Sequence, residues 1–134
     1  MAHFAKVEDD GTVSTVCVVD NDDIIDPETG LESEALGIAI AQRHGGGGTW
    51  VQTSYGGNFR GNYAGIGMIY DSGNDCFHRP RPTSFLTQEP LDSWNLVELT
   101  RNGEPWNWEA PTAYPDDGKV YEWNEPSTAW VEVT

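Results

Sequence analysis

Three histidines and two cysteines are the residues best suited to nucleophilic or metal chemistry, and their spacing serves neither. His3, His44 and His78 stand isolated. A nucleophilic Ser or Cys needs a base beside it, and the G-x-S-x-G elbow that would present one is missing. There is no H-x-x-x-H and no C-x-x-C, the spacings that bring metal ligands onto one helix face or one turn. Asp20, Asp22, Asp23 and Asp26 concentrate carboxylates that could surround Ca²⁺, yet the Gly and Glu positions of an EF-hand loop are not matched. They read as a solvated loop. With 22 Asp and Glu in the chain, nothing singles out a pair for glycoside hydrolysis. Cys17 lies in an apolar run and reads as an inert core thiol. The Gly45–Gly48 run lacks the Lys-Ser/Thr of a phosphate loop and reads as a connector. The expectation is a protein with no catalytic residue, no cofactor and no metal.

Binding chemistry is better represented. Arg60 lies between Phe59 and Tyr63 in a stretch rich in Gly and Asn, a setting in which an arginine serves well as an interface anchor. Pairing of Arg60 with one of the chain's own carboxylates is the competing reading. Five of the six tryptophans, Trp94, Trp106, Trp108, Trp123 and Trp130, fall in the last 41 residues. Such residues fill a small β core or a protein interface. Exposed, coplanar and flanked by Asp or Asn, they would instead stack on a host glycan. The candidate interface residues are therefore Phe59, Arg60, Tyr63, Trp106, Trp108, Trp123 and Trp130.

The elements that must position these residues are mostly strands. Asp9-Asp10-Gly11-Thr12 between Phe4–Val7 and the β-branched run Val13–Val19 predicts a hairpin. Ser33 is a suitable N-cap, Glu32 and Glu34 suit the positive end of a helix dipole, and Arg43, His44 and Gly45 suit the other end. This predicts one helix over residues 33–44, with Leu36 and Ile40 on its apolar face. Val16, Val18 and Trp50 are the expected sheet residues beneath it. Thr49–Tyr55 reads as a strand and residues 56–67 as a loop packed over the sheet. Further hairpins are expected around Asp71–Asp75, Arg101–Gly103 and Asn124–Thr128, while Arg79-Pro80-Arg81-Pro82 must be extended. A short repeat links two of these hairpins. Tyr70 and Phe77 are spaced like Trp123 and Trp130, with Asp71 and Asn124 placed to close the turns. The predicted fold class is α+β, mainly antiparallel hairpins with one principal helix. It divides into an N-terminal part with the helix, residues 1–66, and a Trp-rich hairpin part, residues 67–134.

The chain has 134 residues and a formal net charge of −15. That length suits one domain with a core of its own, or one domain with an appended module. Phosphate binding needs Lys and Arg, so the acidity argues against nucleic acid and anionic membranes as partners. No apolar run approaches the roughly 18 residues of a membrane span, and Met1–Lys6 lacks the layout of a signal peptide. Six Trp, five Tyr and four Phe argue against disorder. The charge is uneven. Residues 1–34 carry ten acids against Lys6, and residues 89–134 carry ten against Arg101 and Lys119. Residues 35–88 carry four arginines against Asp71 and Asp75. The mildly basic middle is the expected docking region.

Several segments together carry a resemblance. They are Met1–Val7 with Val18–Asp22, Glu32–Ala39, and Trp50–Tyr55 with Asn58–Gly67. Tyr70-Asp71, Phe77 and the Pro80/Pro82 stretch follow, then Trp108–Pro111, Tyr114–Gly118, Tyr121 and Trp123–Glu125. Along nearly its whole length the chain resembles a family of small uncharacterised proteins of tailed bacteriophages, especially marine cyanophages. The resemblance transfers no catalytic residues. It implies a phage origin and a place in the virion, after synthesis in the host cytoplasm. Its partners would then be phage structural proteins of the capsid or tail, engaged in multiple copies. A capsid decoration protein or a small tail component is the leading expectation. A host-receptor or glycan-binding module, and an assembly factor absent from the mature particle, are the alternatives.

Overall fold

The computed structural model describes residues 1–133, which fall into two compact units divided between Pro80 and Arg81. The first unit is built on a three-stranded antiparallel sheet of β1 (Ala2–Val7), β2 (Val13–Val19) and β3 (Thr49–Thr53), in the order β2-β1-β3. The Asp-Gly turn forms as its chemistry requires. Asp10 Oδ1 accepts the Thr12 N–H at 2.9 Å, and Gly11 takes a φ of +89° that a side chain would resist. The central strand β1 has both faces covered, which is why the consecutive residues Phe4 and Ala5 are both fully buried.

Helix α1 (Glu34–Gly45) covers one face. Ser33 Oγ accepts the Leu36 N–H at 3.3 Å, and the Gly46 N–H closes the other end on Gln42 O. Its contact matches the expected one in part: Ile40 and Trp50 pack in this layer, but other expected residues do not. Leu36 is exposed, Val18 is exposed, and Val16 packs on the opposite side of the sheet. The helix instead buries Gly37 and Ala41, one turn apart. A side chain at residue 37 would hold the helix off, since a Cβ there would lie 2.0 Å from the Phe4 ring. Ala2, Phe4, Val19, Ile24, Ala41 and Trp50 form this core layer.

The hairpin of β4 (Ile69–Asp71) and β5 (Cys76–His78), with the loop before it, covers the other face. Phe77 and Ala64 pack there against Ala5, Val13 and Val51. Backbone bonds from Tyr70 N to Gly11 O (2.8 Å) and from Val13 N to Met68 O (2.8 Å) fix the hairpin to the first turn. The expected division after residue 66 is therefore displaced. Residues 67–80 complete the core of the first unit and do not begin a second one.

The second unit contains two hairpins, β6 (Asn95–Leu99) with β7 (Pro105–Glu109) and β8 (Tyr121–Asn124) with β9 (Ala129–Glu132). Leu91 and Ala110 are its buried aliphatic residues. Most of its interior is made of half-buried aromatic rings. The whole is an α+β fold of antiparallel hairpins with one helix.

Candidate docking surface

Arg60 is turned inward. Its Nη1 and Nη2 donate to the two oxygens of Glu34 at 2.7 and 3.2 Å, Nη1 also donates to Gln52 O at 3.0 Å, and Nε donates to Asp75 Oδ1 at 2.8 Å. The side chain is only 21% exposed. Burial works against its charge, but the bonds and attraction from Glu34 and Asp75 outweigh that and raise the guanidinium above its ordinary value. Asp75 also accepts from the Tyr70 hydroxyl at 2.5 Å. Bonds from Tyr70 and Arg60 hold the Asp75 carboxyl below its usual range, and burial with the Asp75 bond pushes Tyr70 up to about 12. The arginine read as an interface anchor is thus a structural tie. It joins the first residue of α1, the penultimate residue of β3 and the β4–β5 turn. Four of its N–H donors are engaged, so it has little left to offer a partner.

Tyr63 stands apart from that tie. It meets His3 edge-on at 5.4 Å and Tyr55 at 5.2 Å, while His3 stacks on Tyr55 at 5.7 Å between ring centres. Tyr55 is 74% exposed. These three rings form an aromatic surface on the first unit. Phe59, 43% exposed, lines a shallow recess beside Arg60.

In the second unit, Trp123 and Trp130 pair across β8 and β9. Trp94 and Tyr114 join them. The ring planes in this cluster meet at 66–88°, edge to face. The Trp130 indole N–H donates to Thr112 O at 2.8 Å, and the Trp94 N–H is buried without a hydrogen-bond partner among the described residues. Trp108 lies under the Arg81 guanidinium, 4.3 Å from its ring centre, and Arg81 also donates to Leu91 O and Trp94 O. Trp106 stands on β7 with a left-handed φ of +36°. A groove of about 350 Å³ runs past Trp94, Trp108, Tyr114 and Trp130. Rings set edge to face pack a core well. They do not supply the coplanar platform that stacking on a glycan requires.

Two carboxylates of the acidic cluster are engaged in local structure. Asp20 caps the one-turn 3-10 helix Asn21–Ile24 by accepting from Asp22 N, and Asp26 accepts from Glu28 N. Among the described residues, no three His, Cys, Asp or Glu side chains are gathered in a way that could hold a metal. Cys76 is buried, and burial pushes its thiol up to about 11. No helix among the described residues is long and apolar enough to cross a membrane.

Some exposed residues escape sequence reasoning. Tyr55 reads as the bulky end of a strand, yet it projects beyond the last residue of β3. Phe85 and Leu86 are among the most exposed large apolar side chains. Neither has a periodic context that would mark it. No protein-family model, curated protein or solved structure matches this chain.

Proposed function

We propose that this chain is a non-enzymatic structural protein of a tailed-bacteriophage particle, a capsid decoration protein or small tail component that docks on a protein lattice. The observation that carries this reading is the His3–Tyr55–Tyr63 surface. Three rings lie in mutual contact and the outermost is largely exposed. Tyrosine in such a cluster offers a large rigid contact at low entropic cost, with a hydroxyl for orientation. The strongly acidic remainder of the chain keeps it soluble before assembly. The family resemblance supplies the setting in the virion.

Peptide mass spectrometry of purified particles tests the setting. Peptides of this chain in stoichiometric amounts support the reading, and their absence from particles but presence in infected cells would make it an assembly factor. A Tyr55→Ala, Tyr63→Ala protein tests the surface. It should stay folded yet bind particles lacking the native copy at least tenfold more weakly.

A further inference from the structure

The loop between Thr83 and Pro90 in the second unit is closed by its own hydrogen bonds and displays apolar side chains at its tip. Thr83 and Pro90 bridge at its base. Ser84 N donates to Glu89 O at 2.8 Å, Gln88 N donates to Ser84 O at 2.9 Å, and the Gln88 side chain donates to Phe85 O at 3.0 Å. Below the base, Arg81 ties the chain to Leu91 O and Trp94 O at 2.8 and 2.7 Å. Phe85 is 91% exposed and Leu86 74%. Leu86 also lines a groove of about 470 Å³ whose other apolar residues are Trp123, Pro126 and Val131. Leu86 thus belongs both to the exposed loop tip and to the groove wall, and exposed apolar side chains gathered in this way mark interaction sites on soluble proteins.

The rim decides what fits. Exposed Glu89 and Glu122 border the groove, and residues 89–134 hold ten acids against two basic residues. A second copy docking through this same face would bring acidic rim against acidic rim, and two chains of charge −15 each repel as they approach. The complementary occupant is a different protein with an apolar cleft bordered by Lys and Arg. We infer that Phe85 and Leu86 form a docking prong that inserts into such a basic-rimmed apolar cleft on the particle, a contact distinct from the Tyr55 surface. The inference rests on the docking function proposed above.

The test uses particles assembled without this chain, titrated with the full-length protein and with Phe85→Ser, Leu86→Ser and Glu89→Lys, Glu122→Lys double variants. Both pairs are exposed, so each variant should match the parent in thermal melting and near-ultraviolet circular dichroism. Each should bind about thirtyfold or more weakly. Raising salt should weaken the parent more than the charge-reversed protein. Unchanged binding by the serine variant overturns the prong while leaving the docking function intact. A parent that does not bind these particles at all overturns both. Weak binding by the serine variant with full binding by the charge-reversed one overturns the basic cleft. A parent that self-associates in sedimentation, through contacts the serine variant loses, makes the occupant a second copy and overturns the inference.

Discussion

Trp123 and Trp130 stand directly opposite each other in the β8–β9 ladder with ring centres 5.1 Å apart, and Tyr70 and Phe77 hold the same relation at 5.1 Å in β4–β5. The turns between them are also alike. Asp71 Oδ1 accepts from Gly73 N and Asn74 N, and Asn124 Oδ1 accepts from Ser127 N. The residue just before the returning strand has a positive φ in both, +49° at Asp75 and +47° at Thr128. One local device, with a ring pair clamped by a side-chain-closed turn, thus serves in both units.

That shared turn makes Thr128 strained, because a β-branched residue in the left-handed region crowds its own carbonyl. Replacing Thr128 by Gly should stabilise the second unit by about 1 kcal/mol, read as a higher denaturant midpoint at unchanged slope. Asp75→Gly at the equivalent position should lower the midpoint, because it removes the acceptor of Arg60 and Tyr70. A stabilising Asp75→Gly change would show that its backbone strain outweighs the bonds it accepts from Arg60 and Tyr70.

Gly37→Ala should be strongly destabilising. In an exposed helix the change gains roughly 1 kcal/mol. Here the new methyl would meet the Phe4 ring at 2.0 Å, and overpacking of this kind costs about 2–3 kcal/mol. A Gly37→Ala, Phe4→Leu double variant should recover part of the loss. Thermal melts of the two proteins decide the matter, and a stable single variant would mean that α1 is free to lift from the sheet.

Arg60→Ala should cost roughly 2 kcal/mol, the scale of hydrogen bonds made to charged groups in partly buried places. The loss should appear in unfolding, not only in particle binding, which separates a structural tie from an interface anchor. Arg60→Lys should rescue little, because an ammonium cannot reproduce the forked contact with Glu34 while also reaching Asp75 and Gln52 O. Near-full stability in the lysine protein would refute the forked arrangement.

The same network sets a pH dependence. The Asp75 carboxyl is held below its ordinary 3.8, so its contribution is present above that value and fades as pH falls through the lower folded-state one. Tyr70 is raised from its ordinary 10 to about 12, so its contribution is present below pH 10 and is lost as pH climbs toward 12. Tyr70→Phe should therefore be less stable than the parent by about 1 kcal/mol near neutrality, with the gap closing at about pH 12. Denaturant titrations across the alkaline range measure this, and a gap that stays constant would exclude the Tyr70–Asp75 bond as its source.

The fold was largely legible because its signals are local. The Asp-Gly turn, the Ser33 cap, the glycines after His44 and the spaced aromatic pairs each act within a few residues. The surface was not, because its determinants are long-range. Glu34 reads only as a helix-start acid, and its partner Arg60 is 26 residues away. Leu36 has the right spacing for a buried residue, yet close approach of Gly37 to Phe4 rotates the helix and leaves Leu36 outside. Phe85 lies in no periodic pattern, and no signal within a few residues of it marks it as exposed.

The tie at Arg60 has a consequence for crowding. Because β3 is the outer strand on its side of the sheet, the Gln52 N–H and C=O face away from β1, an unpaired rung on which a foreign strand could start. Glu34 accepts that N–H at 2.8 Å and Arg60 donates to that C=O. A salt-bridged pair of side chains imitates the missing neighbour strand and blunts the edge. A protein at high local concentration is exposed to strand-by-strand fusion with its own kind. Here the open rung is closed from within the monomer, by residues that need no partner to do it.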